Sequence, residues 1–496
     1  MHHEFPRRTF LSGSAMSALA IGARPIFAAP KKSVDITVRI GTNKQLFVDD
    51  HLITTTENVR RRLGQAQKAH DARPVIVEDR PWEKFAAPIL GSVLRDGDRF
   101  RLWYRGGGSG PGGGVWCYAE STDGLNWKKP QLGLVPFGEN KANNIYVTGQ
   151  PQAITPFIDP REKDPAKRYK AAINTLRIDT GLAYSRDGLS WKLYREGAAI
   201  TGRASDTISQ VIWDPHAKVY RLYTRTDYGN SKTGEVRGTR DMVAAADADL
   251  SDPRSWCKVR EWCLGWERGD RQYHRKRQIY SLNGWVYQGV QFALIWALDE
   301  PGGSERMDAY LATTRGERPW NLEWIYGDRP LIARGKEGSW DCRWIQPATN
   351  IVTWRDKHWL YYVGSSRSHA GKYSPGVKGP KAGIGLATLR LDGFVALAAQ
   401  EKQGTVTTKP LRIEGKSLAI NVEAPQGEIT LEVLDEQGRP IPGFTATDAI
   451  SGRRIDDLRW RPRWKRHADL AAIRGKVVRL RFRMRRAKLY SLQVVK

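Results

Sequence analysis

The chain has 496 residues, 40% of them hydrophobic, with 48 glycines, 26 prolines and 19 tryptophans against four cysteines and a formal net charge of +27. That length and apolar content exclude a disordered chain and exceed one ordinary core, and the turn-rich composition points to an all-β protein of two or three domains. The cysteines (Cys117, Cys257, Cys263, Cys342) are too few and too scattered for a disulfide scaffold or a zinc motif, although Cys257 and Cys263 could bridge across a short loop.

At the N-terminus, Pro6-Arg7-Arg8-Thr9-Phe10-Leu11, an apolar run to Ile26-Phe27 and then Ala28-Ala29-Pro30 read as a twin-arginine export signal over residues 1–29. The run is too short and its side chains too small to span a bilayer, and no later segment reaches transmembrane length. The expectation is a mature chain in the periplasm or outside the cell. Residues 45–53 predict a lone strand that pairs with the last of the repeating units that follow it.

Ser121-Thr122-Asp123-Gly124-Leu125-Asn126-Trp127 recurs as Ser185-Arg186-Asp187-Gly188-Leu189-Ser190-Trp191, each copy after a strand-like run. Asp and Gly supply a hairpin turn, and Trp starts the next strand and plugs between sheets, so the repeat is structural. The same order of strands can be traced five times at a period of roughly 60 residues. First strands are expected over 89–94, 153–158, 207–213, 278–282 and 349–354, and second strands over 99–104, 168–173, 219–224, 284–292 and 358–363. Third strands follow, as in 308–314 and 383–390. From about residue 404 the pattern changes to short alternating strands (418–422, 429–433, 477–484, 489–495) joined by turns such as Gly438-Arg439-Pro440. The fold expected is all-β: a five-bladed β-propeller over 45–400 followed by a C-terminal β-sandwich over 404–496.

Three phrases carry a resemblance: Leu46-Phe47-Val48-Asp49-Asp50-His51-Leu52-Ile53, Ser339-Trp340-Asp341, and Gly383-Ile384-Gly385-Leu386-Ala387-Thr388-Leu389-Arg390-Leu391-Asp392-Gly393-Phe394. With the unit count, they make the chain resemble the five-bladed propeller glycoside hydrolases, the superfamily of families 32 and 43, many of which carry a C-terminal sandwich. The resemblance implies a secreted bacterial protein acting on carbohydrate. Family 32 proper has Asn-Asp-Pro-Asn-Gly, Arg-Asp-Pro and Glu-Cys segments, and none occurs here. No residue therefore inherits a catalytic role by motif, and fructan chemistry is not carried over.

Blade geometry sorts the acids instead, because residues just before each first strand gather at one mouth of the central channel. Asp96, Asp98, Asp159, Asp214 and Asp356 fall in turns on the far side and read as turn formers. Glu83, Asp206, Asp270 and Asp341 precede first strands and are the candidate catalytic carboxylates. A glycosidase needs a protonated acid and an ionised base or nucleophile roughly 5 to 9.5 Å apart, which acids on different blades can supply. The bland reading is that these acids cap turns or pair with cations.

Arg105, Arg225 and Arg367 recur at the end of second strands, where guanidinium forks could hold sulfate or carboxylate or could neutralise the mouth acids. Arg343, Trp82, Trp340, Tyr273 and His274 complete the expected substrate-binding set, with Asp50 as a further candidate and Trp344 as another stacking aromatic. No nucleophile triad, phosphate loop or His-rich metal cluster is present. No cofactor is expected, a channel calcium held by mouth carboxylates being the one option left open.

The charge has dense runs at Arg60-Arg61-Arg62, Arg271 to Arg277 and Arg459 to Arg486 but accompanies no nucleic-acid module. The partner expected is a carbohydrate, with a sulfated or uronate polysaccharide as the anionic candidate, and not nucleic acid; a generally arginine-rich composition would give the same charge. Three readings follow: a glycoside hydrolase, a non-catalytic glycan-binding propeller, and a scaffold whose sandwich binds glycan through Arg459 to Arg466.

Overall fold

The computed structural model describes residues 37–84, 90–110, 113–149, 153–174, 180–195, 200, 207–228, 236–262, 277–299, 305–369 and 371–495. The export-signal reading over 1–29 lies outside these residues. Strands dominate the described chain, in which the only α-helix is the four-residue Glu323–Tyr326. No described helix is long and apolar enough to cross a membrane.

Three four-stranded antiparallel sheets follow one another in strict chain order. The first holds Leu90–Asp96, Arg99–Gly110, Gly113–Ser121 and Ile145–Gly149. The second holds Ala153–Ile158, Tyr169–Asn174, Thr180–Ser185 and Lys192–Leu193. The third holds Gln210–Asp214, Val219–Tyr228, Val236–Ala245 and Cys257–Trp262. An eight-stranded sheet comes next and contains two further sets joined by one parallel bridge between Met307 and Trp344. Arg277–Tyr287, Val290–Asp299 and Arg306–Thr314 form the fourth set. Trp344–Pro347, Lys357–Ser365, Ala382–Arg390 and, from far upstream, Gln67–Lys68 form the fifth.

Polar side chains tie the first strands of these sets to one another. Thr155 donates to the Ser209 carbonyl at 2.7 Å, and Thr207 to the Tyr280 carbonyl at 2.5 Å. Asn283 donates to the Pro347 carbonyl at 3.0 Å, while the Thr349 amide donates to Gly91 at 3.0 Å and its hydroxyl meets that of Ser92 at 2.7 Å. The fifth set thus lies against the first. A Cβ added to Gly91 would stand 2.6 Å from the Ile154 carbonyl oxygen, so the first and second sets approach as closely as glycine allows.

The duplicated Ser-x-Asp-Gly turn staples one set to the next. Ser121 Oγ accepts from the Gly124 amide at 2.9 Å, and Asp123 Oδ1 accepts from the Leu125 and Asn126 amides at 2.9 and 2.8 Å. Gly124 takes φ +74°, and its carbonyl accepts from the Tyr361 hydroxyl of the fifth set at 2.7 Å. The second copy repeats this, the Gly188 carbonyl accepting from the Trp103 indole of the first set at 2.6 Å. Each turn therefore presents a carbonyl to the aromatic donor of its neighbour.

The C-terminal strands show the period-two pattern of a half-buried sheet. In Val477–Arg485, Val478, Leu480, Phe482 and Met484 are buried while the intervening arginines face outward. They pack with Ser417–Leu434, Ala487–Val495 and their neighbours around one core that also takes Ile40, Phe47 and Ile53 from the N-terminal segment.

Three strand expectations differ from the structure, the first because Arg277–Tyr287 runs unbroken through Gly284 and turns at Gln288 and Gly289, so 278–282 and 284–292 are not separate strands. Residues 45–53 do not join the last set: Gln45–Leu46 pairs with Ser491 and Leu492, and Ile53–Glu57 with Gly404–Thr408. Phe47 enters the C-terminal core edge-on to Phe482, while Leu46 and Val48 enter the core of the fourth and fifth sets, so successive residues serve different cores. The strand that completes the fifth set is Gln67–Lys68, on Thr388 and Ala387. Residues 349–354 are not one strand either, because Thr349 and Asn350 bond to the first set and separate Trp344–Pro347 from Val352–Trp354.

Candidate functional site

Side chains from the third, fourth and fifth sets meet near the start of the fourth and fifth first strands. The pairing of Arg277–Tyr287 with Val290–Asp299 slips between Ile279 and Ser281, leaving Tyr280 as the bulged residue. Such a bulge re-aims a side chain. The Arg225 guanidinium carbon lies 4.3 Å from the Tyr280 ring centre, and Arg225 is only 1% exposed. The Tyr280 hydroxyl is 2.8 Å from His369 Nε2, and the His369 ring stacks on Trp344 at 11° between planes. Trp344 lies 5.4 Å from Trp296, which meets Tyr280 at 5.2 Å. Trp344 is half-buried and His369 exposed, so the outer side of this aromatic cluster reaches solvent.

Three side chains here carry polar atoms that the fold does not use. The indole nitrogens of Trp296 and Trp344 are buried without a hydrogen-bond partner. Gln346, two residues along the same face of the strand as Trp344, is fully buried, and neither Oε1 nor Nε2 has a partner. A buried polar group left unmatched costs stability, so three side chains of this kind along two neighbouring strands stand out from the surrounding fold. Together they carry two N–H donors, an amide donor and acceptor, and two indole rings, that of Trp344 half-buried and that of Trp296 buried.

Of the four candidate catalytic acids, Asp206 and Asp270 lie outside the described residues, as do Tyr273 and His274. Glu83 is buried, and its Oε1 accepts from the Tyr104 hydroxyl at 2.6 Å while Oε2 accepts from Lys129 at 2.6 Å and the Asp79 amide at 3.1 Å. Asp341 is buried likewise, with Lys68 at 2.5 Å and the Tyr362 hydroxyl at 2.9 Å on Oδ2. Each is a carboxylate held by one lysine and one tyrosine. Burial raises the pKa of both tyrosines, so they remain neutral donors.

The remaining expected residues are spread more widely. The Trp82 indole donates to Asn144 at 2.8 Å, and the Trp340 indole to the Ala72 carbonyl at 2.7 Å while its ring stacks on Tyr362. Both indoles are thus committed to the fold. Arg105 is half-buried with an unpartnered Nε, and burial lowers its pKa. Arg343 bonds to Ser374 and Glu337, and Arg367 to the Gly371 carbonyl. Asp50 is a correction: its side chain is 76% exposed, pairs with Arg61 at 2.6 Å and belongs to the surface of the C-terminal sheet rather than to these strand ends.

Of the acids expected in far-side turns, Asp96 is ion-paired with Arg168, Asp159 with Lys170, Asp214 with Arg221 and Asp356 with Arg459, while Asp98 is exposed in its turn. Among the described residues no group of three His, Cys, Asp or Glu side chains could hold a metal ion. Cys117 and Cys342 are buried thiols and Cys257 is an exposed one; Cys263 lies outside the described residues.

Tyr280, Trp296 and His369 were not identified from sequence. Tyr280 sits inside an expected strand whose inward face periodicity alone does not decide, and the bulge decides it. Trp296 looks like one more core aromatic, and His369 follows a serine-rich loop with no motif around it.

No family model matches the chain, and no curated protein matches its sequence. Among solved structures it is similar to a glycoside hydrolase, with TM-score 0.42 and 13% identity over 66% of this chain and 92% of that one. It is also similar to the catalytic domain of a Coprinopsis cinerea GH62 α-L-arabinofuranosidase, with TM-score 0.42 and 12% identity over 66% and 97%. A third is a Podospora anserina α-L-arabinofuranosidase in complex with cellotriose, with TM-score 0.43 and 13% identity over 66% and 97%.

Proposed function

We propose that the chain is an exported glycoside hydrolase, a five-bladed β-propeller with a C-terminal β-sandwich, that binds a polysaccharide over the Tyr280, Trp296, Trp344 and His369 cluster. The observation that carries this reading is the set of buried, unmatched polar atoms on Trp296, Trp344 and Gln346 beside aromatic faces. Sugars call for that combination, because their C–H faces stack on rings while their hydroxyls need donors and acceptors. The hydrogen bonds linking the first strands of five successive sets support the propeller assignment.

Cleavage requires a proton donor and an ionised carboxylate on opposite sides of the scissile bond. Glu83 and Asp341 accept hydrogen bonds from a lysine and a tyrosine each, an arrangement suited to a charged carboxylate and not to a proton donor. The donor role falls to Asp206 or Asp270. The formal charge of +27 supports an anionic, uronate or sulfated, substrate.

One observation favours a second reading, a non-catalytic glycan-binding propeller: both described acids are already engaged by lysines. Hydrolysis of a panel of neutral, uronate and sulfated polysaccharides by the mature chain decides between them. The enzyme reading expects sugar release that falls by about a hundredfold or more in Asp206→Asn or Asp270→Asn. Tight binding without release, unchanged in those variants, would overturn it.

A further inference from the structure

A second concave surface lies on a different part of the molecule. Between the outer edge of the fifth set and the C-terminal sheet runs a cleft of about 800 Å³, lined by Arg62, Arg355, Lys357, Arg390 and Lys488 against the carboxylates of Asp356, Glu423 and Asp456. A hollow of about 440 Å³ continues from it, sharing Arg62, Ala398 and Gln400 and adding Arg60.

All three carboxylates are already neutralised. Asp356 is paired with Arg459 at 2.5 Å, Asp456 with Arg390, and Glu423 with Lys488 at 2.8 Å as well as with the Tyr490 hydroxyl. Arg60, Arg62, Arg355 and Lys357 are exposed and have no carboxylate among the described residues. Arg60 and Arg62 stand two apart on one face of Val59–Leu63, a strand that ends its sheet. Keeping like charges side by side on an edge strand costs stability, and a bound polyanion would recover that cost.

We infer that this cleft binds an acidic polysaccharide, through its carboxylate or sulfate groups, at a site separate from the aromatic cluster. Single-stranded nucleic acid fits it less well, since base binding needs open aromatic faces. The aromatic ring lining the cleft belongs to Tyr490, which is 5% exposed and covered by the Arg390 guanidinium at 5.3 Å. The inference does not depend on catalysis at the strand ends.

The test is calorimetric titration of the full chain with an oligogalacturonate, a sulfated chondroitin oligosaccharide, a neutral cello-oligosaccharide and single-stranded DNA, at low and high salt. The double variant Arg62→Glu with Lys357→Glu is compared with a control that reverses two exposed cations of the second sheet, Arg186→Glu with Lys192→Glu. The expected result is binding of one or both acidic oligosaccharides, weakened about tenfold or more by the cleft variant and by salt and left intact by the control. Carboxylate and sulfate sources are told apart by which oligosaccharide binds. Equal loss in both variants would show diffuse attraction and overturn the site, as would acidic-oligosaccharide binding that the cleft variant leaves unchanged, binding of the neutral oligosaccharide that the cleft variant weakens to the same degree, preference for DNA, or no binding of either acidic oligosaccharide. Thermal melts check that both variants remain folded.

Discussion

Lys68 and Lys129 each neutralise a carboxylate that burial would otherwise make costly, so their removal is informative. With Lys68→Met, Asp341 keeps only Tyr362 as its side-chain partner, with its own side chain 2% exposed. Removing one partner of a buried pair typically costs about 3 to 5 kcal/mol. Urea unfolding should show a loss of that order, whereas a loss below 1 kcal/mol (about the worth of an exposed pair) would mean the pair is solvent-screened. Asp96 makes the acid side measurable. Hydrogen bonds from Arg168 outweigh burial and, with Tyr169, hold its carboxyl at about 2 against an ordinary value of 3.8. A depressed carboxylate adds stability above its ordinary value and loses it as pH falls toward the folded one. Stability should therefore drop between about pH 4 and 2, and Asp96→Asn should flatten that drop. At this scale the sequence pointed to Arg225 through its position at a strand end and to Trp344 as a stacking aromatic. It left Tyr280 undecided because a bulge is not written in periodicity, and it said nothing of which tryptophan N–H groups the fold leaves unmatched.

The elements follow their local chemistry most closely at the duplicated turns. Ser-x-Asp-Gly announces a hairpin, and the structure adds that its carbonyl is a socket for the neighbouring set. Gly124 combines φ +74° with a would-be Cβ only 2.6 Å from the Tyr361 hydroxyl. Gly124→Ala should cost about 2 kcal/mol or more in urea unfolding, from the left-handed conformation and the displaced Tyr361 together. A smaller cost would mean that the turn is free to relax. Residues 45–53 were harder to place from sequence. Leu46-Phe47-Val48 is apolar throughout, so alternation gives no clue that Phe47 belongs to one core and its two neighbours to another. The closing strand Gln67–Lys68 is two residues long and polar, with no strand signal of its own; Lys68 is held there by Asp341.

For the whole molecule, the N-terminal strands are part of the C-terminal sheet, since Val38–Ile40 pairs with Leu411–Ile413 and Val59–Leu63 with Val395–Ala399. A chain starting after residue 63 should lose cooperative folding, which a calorimetric melt would reveal; a normal melt would contradict that dependence. The all-β class and the chain order of the sets were legible because turn signals recur at a fixed period, whereas pairings across several hundred residues leave no local trace. The central claim is that Trp296, Trp344 and Gln346 keep unmatched polar atoms for a glycan, and Gln346→Leu tests it most directly. With only scaffolding at stake, removing an unmatched amide should raise stability by about 1 kcal/mol. The account predicts that gain in the urea midpoint together with a loss of affinity for the bound polysaccharide of about tenfold. Unchanged affinity, or a loss of stability, would contradict it.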